Sequence, residues 1–467
     1  MRRYHIITSI FLLIFSNSYS QTTHQLSLKQ AVEMALQNAE DIKNLKLDLQ
    51  IQELVNKEVT GSVLPQVTGS GQGTYYTNLP QIQFPSSDFS IYEVLAREGV
   101  KDQNGNPINT GNASFSLQPV SFVAPLNFQF GLSVNQMLFQ PDIFIALKAK
   151  NAVIDYSKEN IKSAEEKIKE AVEKAYYAVL IADKQKTILE ETKTRLDKTA
   201  SDMKIMFENG FAEKLDIDKL SVSQNNTTTA INQLANATNI SKTLLKNALG
   251  VKISDEIVLT ENLDPSELQG LMISRPDGFD YEQRKEISLL NSAKTLQELD
   301  VERQKAAYLP TVAAFYQFQR AGQRNASFAA PGTSPWFWFT TGLVGISVNQ
   351  PIFDGFQKKY KIGQARLKLE KVDNSLSQVK RAIDMEQDIA FHSLRNALLN
   401  LEVQERNIEL AKEVFETTSK KYESGLGSSF ELIQADTELQ RAQGSYFQAL
   451  YEGYLAKTAV NKSLGKL

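Results

Sequence analysis

The chain has 467 residues, 42% of them hydrophobic and 22% charged, and its 51 Lys plus Arg against 54 Asp plus Glu leave a formal net charge of −3. A balance so near zero supplies no bulk field for nucleic acid, so no nucleic-acid partner is expected. The absence of cysteine removes disulfides, thiol nucleophiles and Cys-ligated metals, and three histidines leave little for a metal site or a Ser-His-Asp triad.

Arg2 and Arg3 precede an apolar run from Ile6 to Phe15, followed by Ser18-Tyr19-Ser20. This is the pattern of a secretory signal peptide over residues 1–20, cleaved after Ser20. No later stretch offers about eighteen uninterrupted apolar residues, so the exported chain is either soluble or crosses a membrane as β-strands.

The next element is a helix over about Ser27 to Ser62, with Leu28, Val32, Ala35 and Leu36 at helical spacing. Leu64-Pro65 ends it, because proline disfavours helical geometry in the residue before it. A glycine-rich strand follows near Gln66 to Tyr76. Its Gly69-Ser70-Gly71-Gln72-Gly73 fails the context of a phosphate loop, since a helix precedes it and none follows. Small residues near a bulge or facing a lumen explain it better. The segment 77–124 is turn-rich and polar, with Pro80, Pro85, Pro107 and Pro119, and reads as an outside loop. From Leu126 to Val134 the alternation is strict: Leu126, Phe128, Phe130, Leu132 and Val134 oppose Asn127, Gln129, Gly131 and Ser133.

A very long helix, Asp142 to Asn209, has no internal proline and would reach on the order of 100 Å at about 1.5 Å per residue. Gly210 breaks it, and a shorter helix runs back to Leu249-Gly250. After a linker over 251–280 the same order returns: a helix over Tyr281 to Tyr308 and Leu309-Pro310. Strands follow around Thr311 to Gln319 and Val344 to Val348, then a long helix from Gly355 to Ser424, a break at Gly425 and a return helix to Leu464-Gly465.

The chain is thus written twice. Asn135-Gln136 recurs 214 residues later as Asn349-Gln350, and Phe207-Glu208-Asn209-Gly210-Phe211 recurs 215 later as Tyr422-Glu423-Ser424-Gly425-Leu426. The expected repeats are 21–250 and 281–467, the first carrying an insertion between Pro65 and Asn135. Aromatics bound the strands: Tyr75, Tyr76, Phe122, and Trp336-Phe337-Trp338-Phe339. Alternating strands with aromatic girdles suit an outer-membrane barrel, although a soluble sandwich with an aromatic core has the same short-range pattern. Four strands cannot close alone, and open edges are costly in lipid, so a membrane-spanning form requires several chains; three would supply twelve strands.

The signal peptide, the two-fold repeat, the Leu-Pro helix-to-strand junctions and the pattern Tyr422-x-x-Gly425 with Glu431 six residues on resemble the TolC-like outer-membrane efflux proteins across essentially the whole mature length. The resemblance implies an α+β membrane protein: a homotrimer with a twelve-stranded β-barrel in the cell outer membrane, contacting its lipid, and a long periplasmic α-helical barrel. It implies a passive duct that docks on a periplasmic adaptor (membrane fusion) protein and an inner-membrane pump of RND or ABC type. Such a duct exports small molecules or drugs or, in type I secretion, proteins. It implies no catalysis and no cofactor or metal.

Residue by residue, the resemblance makes Asn209, Gly210, Phe211, Ser424, Gly425 and Leu426 the adaptor-docking tip. It makes Asp216 and Tyr422 a closing pair across neighbouring helices, and Glu431 the first of two acidic constriction positions. The second position is Gln434, without charge, and an arginine of the family's closing network corresponds to Gly427. Asp216 and Glu431 equally suit plain helix-start acids, favoured by the macrodipole, and Tyr422 a packing aromatic. A different class of function, a soluble periplasmic coiled-coil scaffold, stays open at this point.

Overall fold

A computed structural model describes residues 23–85, 91–108, 117–268, 270–271, 274–326 and 334–467. The signal peptide expected at 1–20 lies outside them. The described chain falls into two compact units. One comprises the chain up to Leu54 with Lys150–Glu298 and Arg366–Leu467; the other comprises Val55–Ala149 with Leu299–Ala365.

In the first unit, β1 (Thr23–Leu26) leads into α1 (Leu28–Asn38), which starts in a capping box: Gln30 N–H donates to the Ser27 hydroxyl while Ser27 N–H donates to the Gln30 side chain. The single helix expected to Ser62 is interrupted at Ala39, where ψ is 119°, and resumes as α2 (Glu40–Gly61). The break lies where Gly250 presses on Asn38; a Cβ at Gly250 would stand 2.9 Å from that of Asn38.

The strands of the other unit are β2 (Gln66–Tyr75), β3 (Ile82–Pro85), β4 (Leu117–Val120) and β5 (Leu126–Phe139), with a short helix α3 (Ile91–Arg97) inside the segment read as loop. β3 and β4 pair antiparallel, and Asp102 accepts from the Asn104 and Asn106 amides in an Asx turn.

The long helices α4 (Pro141–Glu208) and α7 (Gln357–Glu423) and the return helices α5 (Lys214–Leu249) and α8 (Ser429–Ser463) lie within a residue or two of the expected bounds. Between them come β6 (Glu256–Leu259), α6 (Lys285–Ala306), β7 (Thr311–Arg324) and β8 (Phe337–Asn349). β6 pairs in parallel with β1, a two-stranded sheet that periodicity did not announce. No described helix is long and apolar enough to cross a membrane.

The first unit buries Tyr176, Tyr177, Leu180, Leu245, Leu249, Leu450 and Tyr454 in one cluster. Tyr177 and Tyr454 stack at 4.4 Å, the Tyr454 hydroxyl donates to the Asp264 carbonyl at 2.9 Å, and that of Tyr176 to the Leu26 carbonyl at 2.9 Å. Tyr176 and Tyr454 thereby keep their hydroxyls bonded, as a low-dielectric interior demands.

β2, β5, β7 and β8 form one antiparallel sheet in the order β2-β5-β7-β8. Opposed residues share a face. The registers Gly73↔Phe128, Phe128↔Gly322 and Gly322↔Trp338 therefore align an apolar face with Val67, Leu132, Val134, Phe318, Val344 and Ile346. The other face carries Thr68, Ser70, Asn127, Gln129, Ser133, Gln317 and Gln319, with a 2.6 Å hydrogen bond between the Thr68 and Ser133 hydroxyls. The glycines of β2 sit on the apolar face, not on a lumen-like one. A Cβ at Gly73 would lie 2.8 Å from the Phe128 ring, and at Gly71 one would lie 3.4 Å from Phe130. A bulge between Met137 and Phe139 disturbs the end of β5.

Candidate gate, docking tip and membrane face

Both long helices stop in the same way. Gly210 N–H bonds the Phe207 carbonyl and Phe211 N–H the Met206 carbonyl; in the second half Gly425 bonds Tyr422 and Leu426 bonds Lys421. This is the Schellman arrangement, with glycine in the left-handed position at φ 82° and 75°. Each turn leaves one large apolar side chain almost bare, Phe211 at 79% and Leu426 at 84% exposure, flanked by exposed Asn209 and Ser424.

Behind the turns, Leu196, Met203 and Leu220 form a small core against which Tyr422, Ile217 and Ile433 pack. Tyr422 is half-buried, with its hydroxyl 3.5 Å from the Met206 sulfur and 3.7 Å from that of Met203, weak acceptors both. Burial, followed by the charges of Asp202 and Asp216, raises its pKa. Asp216 does not bond Tyr422 within the chain. It accepts instead from the Ser429 hydroxyl at 2.9 Å, which joins the first turn of α5 to that of α8. Ser428 caps α8 by accepting from the Glu431 amide. Glu431 and Gln434 are both exposed on α8, three residues apart, and neither side chain bonds another gate candidate among the described residues.

Sequence reasoning missed the ion pair next to this core. Arg195 donates through Nε and Nη2 to Oδ1 of buried Asp436, at 3.1 and 3.0 Å, and its guanidinium lies over the Phe415 ring. Burial raises the Asp436 pKa against the opposing pull of Arg195. The readable signal was a lone carboxylate on the buried stripe of Leu432, Ala435 and Leu439.

The register divides the aromatic group of the strands. Tyr75 and Trp338 fall on the apolar face, with Trp336 5.8 Å from Trp338, whereas Phe337 and Phe339 oppose Gln323 and Ala321 on the other face. Tyr76 follows β2, its amide bonded to the Pro125 carbonyl, and Phe122 meets Phe84 edge-on at 5.9 Å outside the main sheet.

The fold is thus a four-stranded antiparallel sheet with one apolar and one polar face, continued in the chain by two long-helix hairpins. Residues 292–466 match the family model described as outer membrane efflux protein. Among solved structures, CusC, described as a transmembrane channel, matches with a TM-score of 0.70 at 16% identity, covering 94% of this chain and 91% of that one. The CmeC outer membrane channel of Campylobacter jejuni matches at 0.70 and 14% identity, covering 94% and 85%. The MtrE outer membrane channel of Neisseria gonorrhoeae, in its open state, matches at 0.64 and 14%, covering 94% and 88%. No curated protein sequence matches the chain significantly. The fold is therefore that of the TolC-like outer-membrane efflux channels, and the segment 292–466 carries their family's sequence pattern.

Proposed function

We propose that this chain is one subunit of a passive exit duct, a homotrimer whose pooled strands close a twelve-stranded barrel in the outer membrane. The duct works with a periplasmic adaptor and an inner-membrane pump to export small molecules. One observation carries the reading: a sheet whose edge strands β2 and β8 have no outer partner among the described residues, with an apolar and a polar face. In lipid such edges must be closed by other copies, since each unpaired backbone group costs several kcal/mol. The polar face then lines water and the apolar face meets lipid.

In this reading Phe211 and Leu426, with Asn209, Gly210, Ser424 and Gly425, present the periplasmic tip to the adaptor. Asp216, Tyr422, Glu431 and Gln434 belong to the constriction, where three copies of Glu431 form a ring of negative charge that disfavours anions, weakened by the neutral Gln434. The two sequence repeats, 21–250 and 281–467, each supply one hairpin of long helix and return helix. Catalysis has no part in the duct; energy enters through the pump.

The test is the mass of the protein extracted from purified outer membranes, unboiled and in mild detergent, together with its conductance in a planar bilayer. A heat-sensitive species near three times the mature chain, with low conductance, is the expected result. A detergent-independent soluble monomer would overturn it in favour of a periplasmic scaffold.

A further inference from the structure

The four strands of the main sheet contain only two formal charges, Arg320 and Arg324. Both lie on β7, four residues apart, on the apolar face, toward the end remote from the junctions with α6 and α7. The connection from β7 to β8 contains no acidic residue, and the contact of the Arg320 guanidinium is the Trp338 ring. A charge on a lipid-facing strand costs about 2–4 kcal/mol at mid-bilayer and about 0–1 near the interface. An arginine pair on this face therefore belongs at headgroup depth. Counted from Thr311, Arg320 is the tenth residue of its strand, and about 9–11 tilted residues span a bilayer.

The two guanidiniums are held in place by indoles. Arg320 lies over the Trp338 ring at 5.5 Å and Arg324 over Trp336 at 5.8 Å, with Arg324 Nε donating to the Ser334 carbonyl at 2.8 Å. Trp336 and Trp338 are 5.8 Å apart, and Phe128 supports Trp336 at 5.3 Å. Between the arginines, Gly322 makes room: a Cβ there would stand 2.7 Å from the Trp338 ring, so only glycine lets the indole lie on the strand. The Arg320 guanidinium, stacked on an aromatic face, keeps its N–H edge for bidentate recognition of phosphate, at little further ordering cost.

We propose that Arg320, stacked on Trp338, binds a phosphate group of a phosphorylated glycolipid in the outer leaflet. The proposal rests on the duct reading for its orientation toward the cell exterior.

The test uses the intact detergent-extracted oligomer and bis-phosphorylated lipid A as probe, with native mass spectrometry counting bound glycolipid and inorganic phosphate as competitor. Wild type should retain lipid A, R320Q should weaken it roughly tenfold, as expected for loss of a charge-assisted pair, and R320K should fall between because it keeps charge without the planar stack. Heat-modifiable mobility shows that each variant is assembled. Undiminished binding by an assembled R320Q, or full displacement by inorganic phosphate, overturns the lipid site and leaves the duct reading intact. A wild-type protein absent from the outer membrane overturns both.

Discussion

The Ser429 hydroxyl donates to Asp216 Oδ1 across 2.9 Å, and the two residues are 213 positions apart in the chain. Each stands in the first turn of a return helix, so the bond ties the two hairpins together immediately behind their tips. Ser429→Ala removes the donor and Asp216→Asn the charge. Loss of about 1 kcal/mol is expected from a partly exposed bond of this kind, which under the gate proposed above is a roughly fivefold shift toward open states. Single-channel recording in planar bilayers should register longer open dwell times for either variant, and the double variant should add nothing. An unchanged dwell distribution for Ser429→Ala would remove this bond from the latch.

Tyr422 should divide along its ring and its hydroxyl. Tyr422→Phe loses only contacts to sulfur and should leave conductance within experimental scatter. Tyr422→Ala opens a void against Leu196, Met203 and Leu220, and a cost of about 2–3 kcal/mol follows for a half-buried aromatic. Urea midpoints and conductance measured side by side on the two variants test this, and a leaky Tyr422→Phe would mean the hydroxyl has a partner in a neighbouring subunit.

Arg284 is 2% exposed, pairs with Glu286 at 3.1 Å and Glu386 at 2.8 Å, and donates to the Ser463 carbonyl. Arg284→Met strands two carboxylates, and a loss of about 3–5 kcal/mol is expected for breaking a buried pair. The acid response is signed. Burial raises the Glu286 pKa, but the Arg284 hydrogen bond and charge outweigh it and hold it below its ordinary value of 4.5. A carboxyl depressed in the folded state contributes stability above its unfolded pKa and loses it as pH falls through the folded one. Wild type should therefore lose thermal stability below about pH 4.5, and Arg284→Met should show a flatter acid limb.

Glu166 runs the other way. It is buried, its Oε1 has no hydrogen-bond partner among the described residues, and burial followed by the charge of Glu286 raises its pKa. Its folded state binds the proton more tightly than the unfolded chain, so this group's contribution improves as pH falls toward the unfolded value. Glu166→Gln should raise the melting temperature at neutral pH by a few degrees, with the gain vanishing near pH 4. A lower melting temperature at pH 7.5 would show that the carboxylate is paired in the assembled protein.

Two glycine substitutions separate strain from collision. Gly425→Ala meets nothing within 4 Å and bears only the left-handed φ of 75°, about 1 kcal/mol. Gly465→Ala, at φ 68°, would also bring its Cβ within about 2.5 Å of the Gln283 carbonyl oxygen, and should cost clearly more. Guanidinium midpoints of the two variants should rank in that order.

The long helices were legible because nothing interrupts them between proline and glycine signals, and Gly210 and Gly425 announced both reversals. Strand alternation located β5, β7 and β8 but cut each short: β5 runs on from Val134 to Phe139, β7 from Gln319 to Arg324, and β8 begins at Phe337, well before Val344, where Trp338, Thr340 and Gly342 blur the apolar face. The break at Ala39 was not legible; it lies beside the close approach of Gly250 to Asn38, a contact between residues more than two hundred positions apart. Four-residue strands such as β1, β3 and β6 are too short for period two to register. At the tip, the turn residues could be read by position, but the partners of Asp216, Tyr422 and Arg195 could not. Each lies more than two hundred residues away and is chosen by helix packing.

The pairing of Thr23–Leu26 with Glu256–Leu259 also imposes an order in time. Leu26 is buried, and its carbonyl receives the Tyr176 hydroxyl, so this opening strand has its place only after the chain through Leu259 has been delivered. A protein that emerges from the export machinery with its N-terminal end first must hold that end unpaired for more than two hundred residues. The opening strand is then a closing step, sewn in when the midpoint of the chain arrives, and a stalled or truncated product lacking residues 256–259 leaves its front end exposed to periplasmic proteases.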